Sequence, residues 1–206
     1  MNQEAKSELA RQRILDAAMA NFSAKGYEGA SLNAACAENG ISKGIVYHHF
    51  KDKNELYLLC VERCFDAVTT YLEEVASNLS GTAEERMQSY FNARLQFFAQ
   101  NPLYLGIFAD AAFQPPAPLA EDIAVLREKF DQLNLSVLIS LLEGKKLRDG
   151  LTVSAIAEDF KMYMDYFNMR FRGALHQCNS TEQVLREHEE RCRRQISILF
   201  YGVLRE

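Results

Sequence analysis

Apolar residues recur at intervals of three and four along most of this chain, the spacing that produces one buried face on an α-helix. No stretch alternates apolar and polar residues as a half-buried strand does. The pattern therefore predicts an all-α fold of about nine helices. The predicted helices cover residues 7–24, 32–38, 43–49, 53–79, 83–100, 103–113, 119–142, 154–176 and 181–204.

Residues 31–50 have the pattern of a helix-turn-helix, the motif that places its second helix in the major groove of DNA. Ser31 caps the first helix, whose small residues at 34–37 allow the second helix to cross closely over it. Gly40 provides the positive φ that the turn needs, and Ile41 fills the core after it. Short or hydrogen-bonding residues suited to base edges then follow: Ser42, Lys43, Gly44, Tyr47 and His48.

A capping box, Asp52 with Glu55 three residues later, begins the long fourth helix. The whole segment GISKGIVYHHFKDKNEL, residues 40–56, resembles the TetR family of transcriptional regulators. The preceding segment FSAKGYEGAS, residues 22–31, is similar to the family's link between its first two helices. The matching motif positions are Gly40, Ile41, Ser42, Gly44, Tyr47, His49, Phe50, Lys53 and Leu56.

This resemblance, specific over about residues 8–60, implies an N-terminal three-helix DNA-binding domain at 1–56 and a helical ligand-binding and dimerisation domain at 57–206. It implies that Gly44 permits a close approach to DNA. The residues on or near the groove-facing side would be Lys43, Val46, Tyr47 and His48. Those at or near phosphates would be Ser31, Ser42, His49 and Lys53. Solvated lysines and a packing tyrosine are the alternative interpretations of Lys43, Lys53 and Tyr47.

The last two predicted helices carry apolar residues on more than one face. In the helix at 154–176, one face contains Ile156, Phe160, Tyr163, Phe167 and Phe171, and another contains Met162, Tyr166 and Met169. Such a helix needs cover on both sides, and in the TetR family the last two helices pair with their mates. We therefore expect a homodimer through these helices, with a thick single-chain core as the alternative.

The C-terminal part is rich in Phe, Tyr and Met, which line apolar pockets as well as cores. The resemblance implies a small-molecule effector, and this composition favours an apolar or aromatic one. Arg94 and Asp110 lie on otherwise apolar helices and could orient it, although a solvated position is the alternative. The candidate ligand contacts are Phe91, Arg94, Phe98, Phe108, Asp110, Phe130, Met162 and Tyr166.

The charge and the cysteine content are compatible with the predicted function but do not identify it. The net charge is −5, but residues 1–56 contain equal numbers of basic and acidic side chains, which permits DNA binding there without indicating it. Five scattered cysteines without a CxxC pair indicate reduced thiols in a cytoplasmic protein. Cys60 and Cys64 share a helix face, and small buried side chains are favoured there over a metal site or a thiol switch.

No nucleophile elbow, phosphate loop or HExxH motif is present, so neither an enzyme nor a cofactor is expected. The N-terminus lacks the apolar core of a signal peptide, and no membrane partner is expected. The predicted function is a ligand-responsive repressor that binds a palindromic double-stranded operator as a dimer. The alternatives are an activator, a thiol-responsive regulator, or a TetR-fold protein that acts through protein partners without operator binding.

Overall fold

A computed structural model describes residues 3–171 and 180–204. Within those ranges the chain forms ten α-helices and no strand, which confirms the all-α prediction. The helices are α1 (Gln3–Gly29), α2 (Leu32–Glu38), α3 (Lys43–His49), α4 (Lys53–Ser77), α5 (Ala83–Gln100), α6 (Pro102–Phe113), α7 (Ala120–Leu126), α8 (Glu128–Leu142), α9 (Val153–Phe171) and α10 (Thr181–Val203), with a 3-10 turn at Ala117–Leu119. The predicted helical residues 172–176 and Cys178 lie outside the described residues.

Two helices differ from the prediction. Helix α1 continues past its predicted end, with a kink at Gly26, whose φ of 66° lies in the left-handed region. The single helix predicted over residues 119–142 is two helices, α7 and α8, which meet at Arg127. The apolar spacing continues across Arg127, so this break has no counterpart in the sequence pattern.

The chain forms two compact units. The first unit comprises Met1–Phe65 with Asn101–Arg127, and the second comprises Asp66–Gln100 with Glu128–Glu206. Helix α4 contributes to both, and the break at Arg127 lies where the chain passes from the first unit to the second. The functional division predicted at residues 56 and 57 stays a prediction.

The first unit is built around the packing of α1 on α6. Ile14 and Phe22 of α1, Tyr57 of α4 and Ile107 of α6 are all buried. Phe22 meets Tyr57 edge to face, with 5.0 Å between the ring centroids. The second unit has its own aromatic core, which includes Phe97, Phe98 and Phe130. Across the described residues, no helix is long and apolar enough to span a membrane.

Candidate nucleic-acid interface

Local hydrogen bonds fix the first helix of the helix-turn-helix. The Ser31 hydroxyl accepts a hydrogen bond from the Ala34 amide at 3.4 Å, which is the predicted N-cap of α2. The Ser31 amide in turn donates to the side-chain oxygen of Asn21 at 3.0 Å. Because Asn21 is a buried residue of α1, this bond ties the start of α2 to the preceding helix.

The turn between α2 and α3 is a Schellman motif centred on Gly40. The Ile41 amide donates to the Cys36 carbonyl at 2.8 Å, and the Gly40 amide donates to the Ala37 carbonyl at 3.0 Å. Gly40 has a φ of 69°, as the sequence predicts, and Ile41 is buried after it. The Asn39 side chain adds a bond to the Ala35 carbonyl at 2.8 Å. The turn therefore satisfies carbonyl groups at the end of α2.

Helix α3 is anchored by its inner face and presents its outer face to solvent. Val46 and Phe50, four residues apart and both 2% exposed, point into the first unit. The guanidinium of Arg11 lies over the Phe50 ring at 5.4 Å. The exposed positions on and before the helix are Ser42, Lys43, Gly44, Ile45, Tyr47 and His48.

Most of the predicted DNA-contacting residues lie on that outer face or beside it. Tyr47 is 51% exposed, and the Lys43 ammonium lies 5.6 Å from the centre of its ring. Ser31 is also exposed, whereas His49 and Lys53 are half-buried. The side chain of Val46 packs inward, unlike those of the other predicted groove-facing residues, and its role at DNA stays a prediction. Ile45, which is 45% exposed, was missed, although its position beside inward-facing Val46 could have indicated it.

The fourth helix begins beside this face with a modified capping box. The Glu55 amide donates to the Asp52 carboxylate at 2.9 Å, as expected. The Glu55 carboxylate accepts from the amide of Lys51 at 2.6 Å, one residue before the position that a capping box uses. Lys53, the first residue of α4, lies over the ring of Tyr27, with its ammonium 4.6 Å from the ring centre.

The polar residues predicted to orient a ligand are engaged within the protein instead. Arg94 is 5% exposed and donates to Glu189 through Nε at 2.8 Å and to the side-chain oxygen of Asn134 at 3.0 Å. Asp110 accepts hydrogen bonds from the Tyr27 amide and the Tyr57 hydroxyl. Both side chains thus have internal partners rather than a solvated position, and their role as ligand contacts stays a prediction.

Glu189 is at the centre of a buried charged cluster in the second unit. Burial by itself would raise the pKa of Glu189, but the attraction of Arg94 and the bond from His188 hold that pKa below its usual range. Burial lowers the pKa of His188 and outweighs the opposing effect of Glu189. The His188 ring lies between Glu189 Oε1, at 3.2 Å from Nδ1, and the Asn168 side-chain oxygen, at 2.8 Å from Nε2.

The other ligand candidates are divided between core and surface. Phe91, Phe98 and Phe130 are buried in the second unit and Phe108 in the first, so their role as ligand contacts stays a prediction. Met162 and Tyr166 are 67% and 57% exposed, and their role as ligand contacts also stays a prediction. A groove of about 400 Å³ between α5 and α10 is lined by different residues: Glu84, Met87, Gln88, Glu190, Arg193, Arg194, Ser197 and Ile198.

The paired cysteines of α4 are fully buried. Burial raises the pKa of Cys60 to about 12, and it also raises the pKa of Cys64. The Cys64 thiol donates to the carbonyl of Tyr104 at 3.4 Å. Because the thiolate is the reactive form of cysteine, this environment supports the interpretation as buried apolar side chains. Within residues 3–171 and 180–204, no group of three His, Cys, Asp or Glu side chains is arranged to hold a metal ion.

Two short helices joined by a tight turn, the second with an exposed outer face, have the arrangement of a helix-turn-helix, and known proteins share it. Residues 14–60 match the family model described as bacterial regulatory proteins, tetR family. An HTH-type transcriptional regulator of Staphylococcus aureus is 33% identical over 105 residues, which are 51% of this chain and 55% of that protein. The match thus spans about half the length of this curated relative.

Solved structures share the fold over almost the whole chain. FadR of Bacillus subtilis, determined in complex with stearoyl-CoA, has a TM-score of 0.63 at 16% identity and covers 87% of this chain and 95% of its own. The ketosteroid transcriptional regulator KstR2 of Mycobacterium tuberculosis has a TM-score of 0.54 at 19% identity, with 95% of each chain covered. Residues 14–60 thus match the tetR family model, and the solved structures share the fold of the chain.

Proposed function

We propose that this protein is a DNA-binding transcriptional regulator whose α3 enters the major groove. The observation that carries the proposal is the outer face of α3, where Ser42, Lys43, Tyr47 and His48 are exposed together while Val46 anchors the helix from within. Basic and hydrogen-bonding groups of this kind contact phosphates and base edges. The repressor role is the form of regulation we propose.

Gly44 gives independent support. A glycine inside a helix costs about 0.5–1 kcal/mol relative to alanine, so it usually serves close packing or an unusual φ. At Gly44 neither reason applies within the protein, because φ is not positive and an added Cβ would meet no atom within 4 Å. A requirement for close approach by an external molecule such as DNA explains why glycine stands there.

Two substitutions test the interface. We expect Tyr47→Ala and Lys53→Ala to weaken binding to a duplex that the protein selects from a randomised pool, with the fold retained. Loss of the lysine should weaken binding to all duplexes about equally, because phosphate contacts are independent of sequence. Lys145→Ala, at an exposed position in the second unit, is the matched control. Parental affinity in both test variants would refute the assigned roles.

We further propose a twofold-symmetric homodimer formed through α9 and α10. Met162, Tyr166 and Met169 form an exposed stripe on α9, and Ile198 and Tyr201 are exposed on α10. Exposed apolar rows of this kind mark protein interaction surfaces. A symmetric dimer would bind a palindromic operator with half-sites about 34–36 Å apart or slightly more. Footprinting should show two protected half-sites, and a single protected half-site would contradict the dimer.

The proposed effector is a small apolar or aromatic molecule. The aromatic core of the second unit supports this choice, and so do the neighbours named for stearoyl-CoA and ketosteroid regulation, which share only the fold. Release would be a population shift, and a 100-fold preference for the non-binding conformation supplies about 2.7 kcal/mol. A thermal-shift screen of apolar compounds, followed by an operator-release assay, tests it. Compounds that stabilise the protein without changing operator affinity would count against this effector.

A further inference from the structure

Helix α6 packs on α1 without an intervening side chain at Gly106. A Cβ added to Gly106 would overlap the carbonyl oxygen and the hydroxyl of Ser23 on α1. Such contact leaves little freedom for one helix to slide on the other, because packed interiors do not deform continuously. The position one turn further along α6 is Asp110, so its carboxylate faces the same part of α1.

Asp110 holds the end of α1 at its kink. Its Oδ2 accepts a hydrogen bond from the Tyr27 backbone amide at 2.9 Å and another from the Tyr57 hydroxyl at 2.7 Å. Its Oδ1 would be 3.0 Å from a Cβ on Gly26, so the carboxylate fits closely against the residue that turns the chain. Burial raises the pKa of Tyr57, as does Asp110, and the phenol therefore remains a hydrogen-bond donor.

The connection continues from Tyr27 to the start of α4. The Tyr27 hydroxyl donates to the side-chain oxygen of Asn54 at 2.6 Å. The ammonium of Lys53 lies over the Tyr27 ring and 3.5 Å from the Glu28 carbonyl oxygen, to which it donates. Tyr27 thus links Asp110 to Lys53: the backbone amide of Tyr27 bonds to Asp110, and the ring of Tyr27 contacts Lys53.

We infer that Asp110 is a positioning residue that, from α6, orients Lys53 for contact with DNA. The inference rests on the proposed function for its consequence, although the connection itself lies within the first unit and exists without DNA. Removal of the Asp110 carboxylate releases the Tyr27 amide, and the ring that supports Lys53 loses its fixed orientation. The Lys53 side chain is then less ordered in the free protein, and ordering it on binding DNA costs free energy.

The first test needs no DNA. Competitive acetylation of the full chain, followed by mass spectrometry, measures how accessible each lysine is. Asp110→Ala should raise the labelling rate of Lys53 at least about 2-fold relative to exposed Lys51, since the ordered ring contact is lost. Asp122→Ala, at an exposed position on α7, is the matched control and should change neither rate. Unchanged Lys53 labelling in Asp110→Ala would overturn the inference.

Two further variants protect this test against misfolding. Asp110→Asn retains an oxygen that can accept both bonds, and it should restore most of the parental labelling. Tyr27→Leu removes the ring over which the Lys53 ammonium lies and keeps the backbone amide that donates to Asp110, so it should also raise Lys53 labelling. Labelling of Lys53 at the parental rate in Tyr27→Leu would show that the connection does not hold the lysine.

A double-mutant cycle then measures the consequence for DNA. On a duplex selected from a randomised pool, Asp110→Ala should weaken binding about 5- to 10-fold, but less than 2-fold when Lys53 is already alanine. Equal losses in both backgrounds would indicate general destabilisation and overturn the positioning role. If the parent protein binds no duplex while the labelling prediction holds, the proposed function fails and the orienting connection from Asp110 to Lys53 stands.

Discussion

The buried pair of Arg94 and Glu189 gives the sharpest prediction about stability. The two side chains are 6% and 2% exposed, and Arg94 also lies over the Phe91 ring at 4.8 Å. Replacement of Arg94 by methionine would leave the Glu189 carboxylate buried with its charge uncompensated. Breaking one partner of such a pair costs about 3–5 kcal/mol of the free energy of unfolding. We therefore expect a loss of that size in Arg94→Met at neutral pH.

The double variant Arg94→Met with Glu189→Leu removes both charges and should recover most of the loss, because apolar replacements of buried pairs are often neutral. Arg186→Met, in the exposed pair of Arg186 with Glu182, is the control and should cost no more than about 0.5 kcal/mol. Urea unfolding followed by circular dichroism, at one protein concentration, measures all three. A double variant at least as unstable as Arg94→Met alone would refute this reasoning.

Three further predictions concern DNA approach, association and pH. Gly44→Ala should raise the free energy of unfolding by about 0.5–1 kcal/mol yet weaken operator binding, and tighter binding would contradict the close approach of DNA at that position. Met162→Glu should shift the protein toward monomer in light scattering, whereas Val125→Glu, at an exposed position of the first unit, should not; a dimer retained in Met162→Glu would count against α9. Because burial lowers the pKa of His188, the unfolded chain binds the proton before the folded chain does as the pH falls below about 6.5. Stability should therefore fall, by at most about 1.4 kcal/mol per pH unit, until the pH reaches the lower pKa of the folded protein. Urea titrations should show a smaller slope for His188→Gln, and an unchanged slope would exclude His188 as the group responsible.

Local signals predicted most helix boundaries. Helices α2, α3 and α5 have their predicted bounds; Ser31 caps α2 and Gly40 follows it, and Asn101-Pro102 follows α5. The break at Arg127 had no such signal, since neither proline nor glycine interrupts the apolar spacing there. Helices α7 and α8 belong to different units, a division that a single helical period does not express.

The position of α3 was largely predictable, and so was the inward orientation of Val46. Val46 and Phe50 are four residues apart and must share a helix face, so the burial of Phe50 already implied that Val46 points inward. The resemblance indicated which residues lie near the DNA, but helical periodicity indicates better which side chain faces outward.

The polar residues of the body could not be assigned from sequence alone. Arg94 meets a glutamate 95 positions away, and Asp110 meets Tyr27 and Tyr57 from the first part of the chain. Contacts between residues so far apart in the chain leave no periodic pattern in the sequence. The exposure of Met162 likewise depends on which apolar face of α9 packs within the subunit, and the sequence offered two such faces.

The salt dependence of DNA binding tests the central claim most directly. Affinity for the selected duplex and for a randomised duplex would be measured between about 50 and 200 mM chloride. If Lys53 of both subunits contacts a phosphate, the logarithm of the affinity should fall with a slope of about −1.8 or steeper against the logarithm of salt concentration. The selected duplex should bind more tightly at every concentration. A slope near zero, or equal affinity for the two duplexes, would contradict the assignment of this protein as a sequence-specific DNA-binding regulator.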